Sequence, residues 1–252
     1  MKIGGFLKQS FVDFPRTLSA VIFTCGCNFN CWYCHNADLI KCTDSKYDIE
    51  KIFKFLESRR DFLEGVVISG GEPTLQTDLS DVIKRIKDLG FKVKLDTNGS
   101  NPQILKNLLD ENILDYVAMD IKNSIKNYTK TICIKGIPQF YETKVKESIE
   151  ILKNCNIDYE FRTTFSPEIS LDDIYEISKL VKGCKNFYLQ KYNTPEHLSQ
   201  MCQLIAMPAT TSVITQINYN SAIGQNAQPR LDYNTALKIL QQFIPNAFLR
   251  GF

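Results

Sequence analysis

Residues 18–36 read LSAVIFTCGCNFNCWYCHN, and they combine a strand signal with a cluster of cysteines. The first six residues form a largely apolar run, which is typical of a strand buried in the core. Three cysteines, Cys27, Cys31 and Cys34, follow with the spacing C-x3-C-x2-C. Side chains at the carboxyl end of a strand in a parallel α/β barrel lie where such proteins bind ligands. This stretch therefore predicts both a central strand and a site at its end.

The same apolar signal recurs along the chain, with helical patterns between its occurrences. Further strands are predicted at residues 65–69, 92–96, 116–121, 159–164 and 187–191. Apolar residues at helical spacing predict helices at residues 48–60, 77–89, 102–111, 144–155 and 171–181. Strands that alternate with helices form a parallel sheet with right-handed crossovers. The sequence thus predicts an α/β fold with five strand–helix units and a sixth strand.

A single domain is predicted for residues 1–252, with a barrel core at about 18–191 and a C-terminal extension at 192–252. Residues 192–229 are nearly uncharged and rich in amide side chains, and the sequence gives them no element and no role. A helix at about 233–243 and a short strand at 247–252 are predicted to close the chain.

The composition is that of an ordinary globular protein, with 44% hydrophobic and 23% charged residues. It excludes a largely disordered or collagen-like chain. The 30 Lys and Arg against 28 Asp and Glu leave a net charge of +2, so neither a nucleic-acid partner nor a membrane is expected. The N-terminus shows no apolar export segment, and nine cysteines in such a chain indicate a reducing compartment. A cytoplasmic location is therefore expected.

Two kinds of metal site are compatible with the three clustered cysteines. A structural zinc site needs four ligands, so Cys25 or His35 would have to complete it. A cubane [4Fe-4S] cluster takes one ligand per iron, so three cysteines leave one iron open to a small molecule. The ligand count favours the cluster and leaves zinc open. The scattered cysteines are predicted to be small buried hydrophobic residues: Cys42, Cys133, Cys155, Cys184 and Cys202.

Polar motifs follow the next three predicted strands at the points where those strands end. They are GGEP at 70–73, DTNG at 96–99 and DIK at 120–122. Together they place two carboxylates, Asp96 and Asp120, and the ammonium of Lys122 at one edge of the sheet. Arg162 lies within the fifth predicted strand, where an unpaired charge is costly to bury. It is expected either to face the site or to pair with a carboxylate such as Glu160.

The cysteine spacing, with Tyr33 before the last cysteine, resembles that of the radical S-adenosylmethionine (SAM) family. The resemblance implies a partial (β/α)6 barrel with a lateral opening and a [4Fe-4S] cluster held by Cys27, Cys31 and Cys34. It implies that SAM binds the open iron and is cleaved reductively to a 5′-deoxyadenosyl radical. A monovalent cation near Asp96 and Asp120 is a further expectation. The residues expected to bind the cofactor are Tyr33, Gly70, Gly71, Glu72, Asp96, Thr97, Asn98, Asp120, Lys122 and Arg162.

The resemblance narrows to the activating proteins of anaerobic (class III) ribonucleoside-triphosphate reductases. It rests on five segments in order, residues 10–36, 66–75, 95–102, 115–122 and 159–164. It implies hydrogen abstraction from a glycine of that reductase, with a flavodoxin or ferredoxin-type electron donor. Cys25, Trp32 and Arg16 depart from the family pattern. The alternatives are activation of another glycyl-radical enzyme such as pyruvate formate-lyase, a small-molecule radical SAM enzyme, and a non-catalytic zinc-binding α/β protein.

Overall fold

The structure is a computed structural model that describes residues 1–134, 138–195 and 231–251, without the side chains of residues 138 and 139. Its strands are β1 (Ile3–Ser10), β2 (Ser19–Thr24), β3 (Gly65–Gly70), β4 (Lys92–Thr97), β5 (Tyr116–Asp120), β6 (Asp158–Phe165), β7 (Phe187–Lys191) and β8 (Ala247–Arg250). Its helices are α1 (Ala37–Ile40), α2 (Ile49–Glu57), α3 (Leu79–Asp88), α4 (Pro102–Asp110), α5 (Tyr128–Ile132), α6 (Pro138–Lys153), α7 (Leu171–Leu180) and α8 (Tyr233–Gln241). The predicted α/β alternation is confirmed.

The eight strands form one sheet in chain order from β1 to β8. β1 runs antiparallel to β2, and every later pair of neighbours is parallel. Within the described residues β1 and β8 are the edges of this sheet and do not pair with each other, so the barrel is partial, as predicted. The six predicted core strands correspond to β2 to β7, and β8 (Ala247–Arg250), predicted as the short closing strand at 247–252, adds a seventh parallel strand beside β7.

Strand β1 was not predicted from the sequence. Its residues include Gly4 and Gly5, which weaken a strand signal because they offer no side chain to pack. The glycines have a local reason here. A Cβ atom at Gly4 would lie 2.4 Å from the Leu39 side chain, and one at Gly5 would lie 3.2 Å from the Phe23 ring. A larger residue at Gly4 would therefore require the Leu39 side chain to shift, and one at Gly5 would require a small displacement of the Phe23 ring.

Successive residues of each strand point to opposite faces of the sheet, and this alternation divides the core. Val66 and Ile68 belong to the large cluster that packs under the helices, whereas Val67 between them belongs to a small separate cluster. Phe14, from the turn between β1 and β2, packs in that small cluster with Tyr116. Val67 and Ser69 lie on the same face of β3. On that face the small apolar cluster forms a floor, and polar side chains such as that of Ser69 lie beyond it, nearer the carboxyl ends of the strands.

The C-terminal extension contributes to the sheet through β8 and to the outer layer through α8. Ala236 and Leu240 of α8 are fully buried, and Phe243 packs edge-on against Tyr175 of α7 with ring centroids 5.6 Å apart. Residues 196–230 lie outside the described residues, and so does Cys202. No helix among the described residues is long and apolar enough to span a membrane. One domain over residues 1–252 stays a prediction.

The cysteines outside the cluster motif differ from the prediction at two positions. Cys184 is buried, as expected, and Cys155 is half-buried. Cys133 is exposed, so its prediction as a buried hydrophobic residue was wrong. Cys42 is joined to Cys25 by a disulfide. No sequence pattern indicated this pair, because Cys42 stands apart from the motif and only the fold brings it beside Cys25.

Candidate active site

A cavity of about 240 Å³ opens at the carboxyl ends of the parallel strands. Every residue predicted to bind the cluster or SAM lines it except Glu72. These lining residues are Cys27, Cys31, Tyr33, Cys34, Gly70, Gly71, Asp96, Thr97, Asn98, Asp120, Lys122 and Arg162. The fold thus brings together side chains that are up to 135 positions apart in the sequence, from Cys27 to Arg162. The roles of these residues in binding SAM stay predictions.

The three motif cysteines are free thiols on the loop between β2 and α1. Burial raises the pKa of the Cys27 thiol to about 11 and that of the Cys31 thiol to about 12. The nearby ammonium of Lys122 acts in the opposite direction on both. Metal ligation requires the thiolate form. Buried thiols of this kind therefore fit a site in which bound iron supplies the compensating positive charge.

A single metal ion and a [4Fe-4S] cluster require different sets of ligands. Among the described residues, no group of three His, Cys, Asp or Glu side chains is placed to hold one metal ion. A [4Fe-4S] cluster binds each thiolate through a different iron, so its ligands stand further apart than those of one zinc ion. Cys25, one of the two candidates for a fourth zinc ligand, is bonded to Cys42. The donor set therefore fits the three-thiolate cluster.

The glycine pair of the GGEP segment packs against the cysteine loop. A Cβ atom at Gly71 would lie 2.0 Å from the Gly26 carbonyl oxygen, and one at Gly70 would lie 2.4 Å from the Thr24 nitrogen. The Gly71 N–H donates to the Thr24 carbonyl at 2.9 Å, and the Glu72 N–H donates to the Gly26 carbonyl at 2.8 Å. The glycines therefore let the two site loops approach each other at backbone distance.

Glu72 joins two of the predicted SAM-binding loops from behind the cavity. Its side chain is fully buried, and Oε1 accepts hydrogen bonds from Thr74 N at 3.1 Å, Thr74 Oγ1 at 2.6 Å and Thr97 Oγ1 at 2.8 Å. Oε2 accepts from Asn98 N at 2.7 Å. The carboxylate thus ties the GGEP loop to the DTNG loop. In the structure its contacts are with the protein rather than with the cavity.

A chain of alternating charges crosses the base of the cavity. Lys94 forms an ion pair with Asp96 Oδ1. Arg162 reaches both carboxylates, with Nη1 3.6 Å from Asp96 Oδ2 and Nε 2.8 Å from Asp120 Oδ1. Lys122 Nζ lies 3.0 Å from Asp120 Oδ2. Three cationic side chains therefore meet two carboxylates in this network.

Burial alone would raise the pKa of both carboxyl groups, but their partners reverse the direction. Lys94 and Arg162 hold the pKa of Asp96 below its ordinary value. Arg162 and Lys122 do the same for Asp120. Burial alone would lower the pKa of Lys122, and the charge of Asp120 raises it well above its ordinary range. The pKa shifts of Asp96, Asp120 and Lys122 therefore all favour the charged form of the group.

Arg162 combines the two alternatives that the sequence left open. It lines the cavity and is paired with carboxylates, but not with Glu160. Glu160 instead accepts from both terminal nitrogens of Arg250 in β8, at 2.6 and 2.8 Å, and from the Tyr116 hydroxyl at 2.8 Å. Lys94 was not among the predicted site residues. Its position two residues before Asp96 on a strand was the signal, since residues i and i+2 share a face.

Tyr33 carries a buried polar atom without a partner. The residue lines the cavity, and it is only 5% exposed. Its hydroxyl has no hydrogen-bond partner among the described residues. Buried hydroxyl groups normally find a partner, because leaving one unpaired costs free energy.

Comparison with known proteins identifies the family. A sequence model of the radical SAM superfamily matches residues 21–181. The chain belongs to the radical SAM superfamily. This radical SAM enzyme is 34% identical over 208 residues to "Putative glycyl-radical enzyme activating enzyme MJ1227" of Methanocaldococcus jannaschii, which covers 82% of this chain and 86% of the relative. It is 27% identical over 193 residues to the pyruvate formate-lyase-activating enzyme of Clostridium pasteurianum, which covers 73% of this chain and 78% of the relative.

A solved structure supports the same fold. The crystal structure of Streptococcus suis SuiB bound to the precursor peptide SuiA superposes with a TM-score of 0.54 at 17% identity, covering 69% of this chain and 39% of SuiB. The superfamily is defined by a [4Fe-4S] cluster and SAM, so both are cofactors of this radical SAM enzyme. The three free cysteines at the cavity fit that requirement.

Proposed function

We propose that this radical SAM enzyme activates an anaerobic ribonucleoside-triphosphate reductase by forming a radical on one of its glycines. The observation that carries the proposal is the single cavity lined by three free thiols, the glycine pair and the strand-end charges. The relative from Methanocaldococcus jannaschii, named as a glycyl-radical enzyme activating enzyme, supports the reaction class. The sequence resemblance described above supports the choice of reductase.

The proposed reaction consumes one electron and one SAM for each radical. When bound, the cluster would supply one electron to SAM, and the products would be methionine and a 5′-deoxyadenosyl radical that would take the hydrogen atom from the glycine Cα and leave as 5′-deoxyadenosine. We assign the cluster to Cys27, Cys31 and Cys34. The part of this chain is to hold SAM in place through its cavity residues. A flavodoxin or ferredoxin-type donor and a cytoplasmic location belong to the same proposal.

The roles of the cavity residues follow from charge and contact. The ammonium of Lys122 and the guanidinium of Arg162 face the cavity and suit the carboxylate of SAM. Asp96, Asp120 and the backbone of Gly70 and Gly71 suit its ammonium and ribose hydroxyl groups. Glu72 acts by holding the Thr97 and Asn98 segment in place. The monovalent cation expected near Asp96 and Asp120 stays a prediction.

Activation of a pyruvate formate-lyase is the second candidate, supported by the 27% identity to the enzyme from Clostridium pasteurianum. Anaerobic incubation of the reduced enzyme with SAM and each candidate partner separates the two. We expect a doublet glycyl-radical EPR signal with the reductase and one 5′-deoxyadenosine per radical. Replacing the radical-site glycine of the reductase by alanine should abolish the signal. A signal with pyruvate formate-lyase and none with the reductase would overturn the choice of partner.

A further inference from the structure

The two carboxylates at the base of the cavity have no free oxygen atom. Asp96 Oδ1 pairs with Lys94, and Asp96 Oδ2 accepts from Ser69 Oγ at 3.0 Å and faces Arg162 at 3.6 Å. Asp120 Oδ1 and Oδ2 pair with Arg162 and Lys122. A monovalent cation expected at these oxygens would have to displace one of these contacts. The residues present therefore do not fit an additional cation.

The Thr97 hydroxyl is the third side-chain oxygen that could bind a cation in this region, and it is already hydrogen-bonded. Its hydroxyl donates to Glu72 Oε1 at 2.8 Å and accepts from Gly99 N at 3.1 Å. The charge balance points the same way, because Lys94, Arg162 and Lys122 already exceed the two carboxylates by one positive charge. A further cation would be repelled by all three at short range.

Lys94 is the unusual member of this set. Lys94 is only 1% exposed. Its ammonium contacts Asp96 from the side of the barrel floor rather than from the cavity. Lysine is almost never fully buried unless it is paired. It does not line the cavity, so it leaves the space above Asp96 to a ligand.

We propose that the Lys94 ammonium takes the place of a monovalent metal ion at Asp96, so that this enzyme binds SAM without such an ion. Lys94 is thus a positioning residue that acts through Asp96. The inference rests on the proposed placement of SAM beside Asp96 and Asp120. It does not depend on which glycyl-radical enzyme is the partner.

The test compares anaerobically reconstituted enzyme in choline chloride with the same enzyme in potassium or sodium chloride at equal ionic strength. The affinity of the wild type for SAM should change less than about twofold between these salts. Lys94→Ala removes the ammonium and leaves space for an ion. Its affinity should fall about tenfold or more in choline, the loss expected for a charge-assisted contact. Potassium or sodium should restore it to within about threefold of the wild type.

Two further variants provide controls. Lys94→Met should lose SAM affinity without rescue by either ion, because its side chain fills the space that the ion would need. Lys87 pairs with Asp115 at 2.7 Å on the loop that precedes β5, at the opposite end of the barrel. Lys87→Ala should therefore show no dependence of SAM affinity on the salt.

The thermal midpoint without SAM gives a second measurement. Because an ion that binds only the folded state stabilises it, potassium should raise the midpoint of Lys94→Ala more than that of the wild type. If potassium raises the thermal midpoint of Lys94→Ala but does not restore its SAM affinity, the result would support the ion site and contradict the placement of SAM. A wild type that needs potassium or sodium to bind SAM would overturn the proposal, even where Lys94→Ala fails to fold. A folded Lys94→Ala protein whose SAM affinity and thermal midpoint change with neither potassium nor sodium would also overturn the proposal.

Discussion

Replacing Glu72 by glutamine tests whether this buried carboxylate positions the SAM-binding loops. Glutamine keeps one acceptor oxygen, which can retain the three hydrogen bonds at Oε1 from Thr74 and Thr97. Its amide nitrogen would face the N–H of Asn98, which now donates to Oε2 at 2.7 Å. One charge-assisted hydrogen bond is therefore lost in a fully buried position. Such a bond contributes about 1.5–3 kcal/mol.

We expect Glu72→Gln to lower the free energy of unfolding by about 2 kcal/mol, because the neutral amide offsets part of the loss by removing a buried charge. At about 2–4 °C per kcal/mol for a chain of this size, the thermal midpoint falls by about 4–8 °C. SAM affinity, measured by titration of the folded reconstituted protein, should fall about tenfold because the Asn98 segment is released.

Asp115 provides the matched control for Glu72. Its carboxylate accepts from Val93 N at 2.6 Å and from Lys87, far from the cavity along the strands. Asp115→Asn should lower stability and leave SAM affinity unchanged. A Glu72→Gln protein that is destabilised but binds SAM normally would refute the positioning role. Lost SAM affinity at unchanged stability would show instead that Glu72 contacts SAM directly.

Three further predictions test other parts of the site. Single alanine substitutions at Cys27, Cys31 and Cys34 should remove nearly all cluster iron, measured as iron content after anaerobic reconstitution, whereas Cys25→Ala should keep it. Equal loss of iron in Cys25→Ala would revive a four-thiolate site. Lys122→Met should weaken SAM binding by the folded protein about 10- to 150-fold, and because Asp120 also loses one of its two partners, some fall in thermal midpoint is expected; a destabilised variant that binds SAM normally would make Lys122 structural. Asp120 has a pKa held below its ordinary value, so its stabilising effect is present above about pH 4 and is lost as the pH falls further. Urea denaturation should therefore show wild type and Asp120→Asn converging in stability as the pH is lowered from 7 to 3, and a constant difference would contradict this.

The strands and helices of the core could be predicted because each carries its own local signal. The predicted strand 187–191 matches β7 (Phe187–Lys191), and the predicted helix 171–181 matches α7 (Leu171–Leu180). Ser170 and Asp173 form a capping box at the start of this helix. Short elements such as α1 (Ala37–Ile40) and α5 (Tyr128–Ile132) were missed, because four or five residues cannot show a helical period.

The membership of the site was predictable, but its contacts were not. Parallel strands bring their carboxyl ends together, so strand-end motifs predicted the lining of the cavity. The sequence could not show that Glu72 turns away from the cavity, or that Arg162 pairs with Asp96 and Asp120. These side-chain contacts depend on the register of neighbouring strands, which places Asp120 of β5 opposite Arg162 of β6. The Cys25 to Cys42 disulfide likewise depends on how the loop after α1 returns to β2.

The distribution of charge inside the barrel explains why the C-terminal strand belongs to the fold. Glu160 is fully buried on β6, and its charge is balanced by Arg250 of β8, which stacks over the Tyr188 ring at 3.5 Å. A buried ion pair adds little to stability, because desolvation offsets the attraction, whereas removing one partner costs about 3–5 kcal/mol. The apolar floor shows that the sheet could have been filled without charges. Above that floor the charges fall into two separate sets, because Glu160 is paired with Arg250 whereas Arg162 is paired with Asp96 and Asp120. The last strand thus supplies the cationic partner that the buried Glu160 needs.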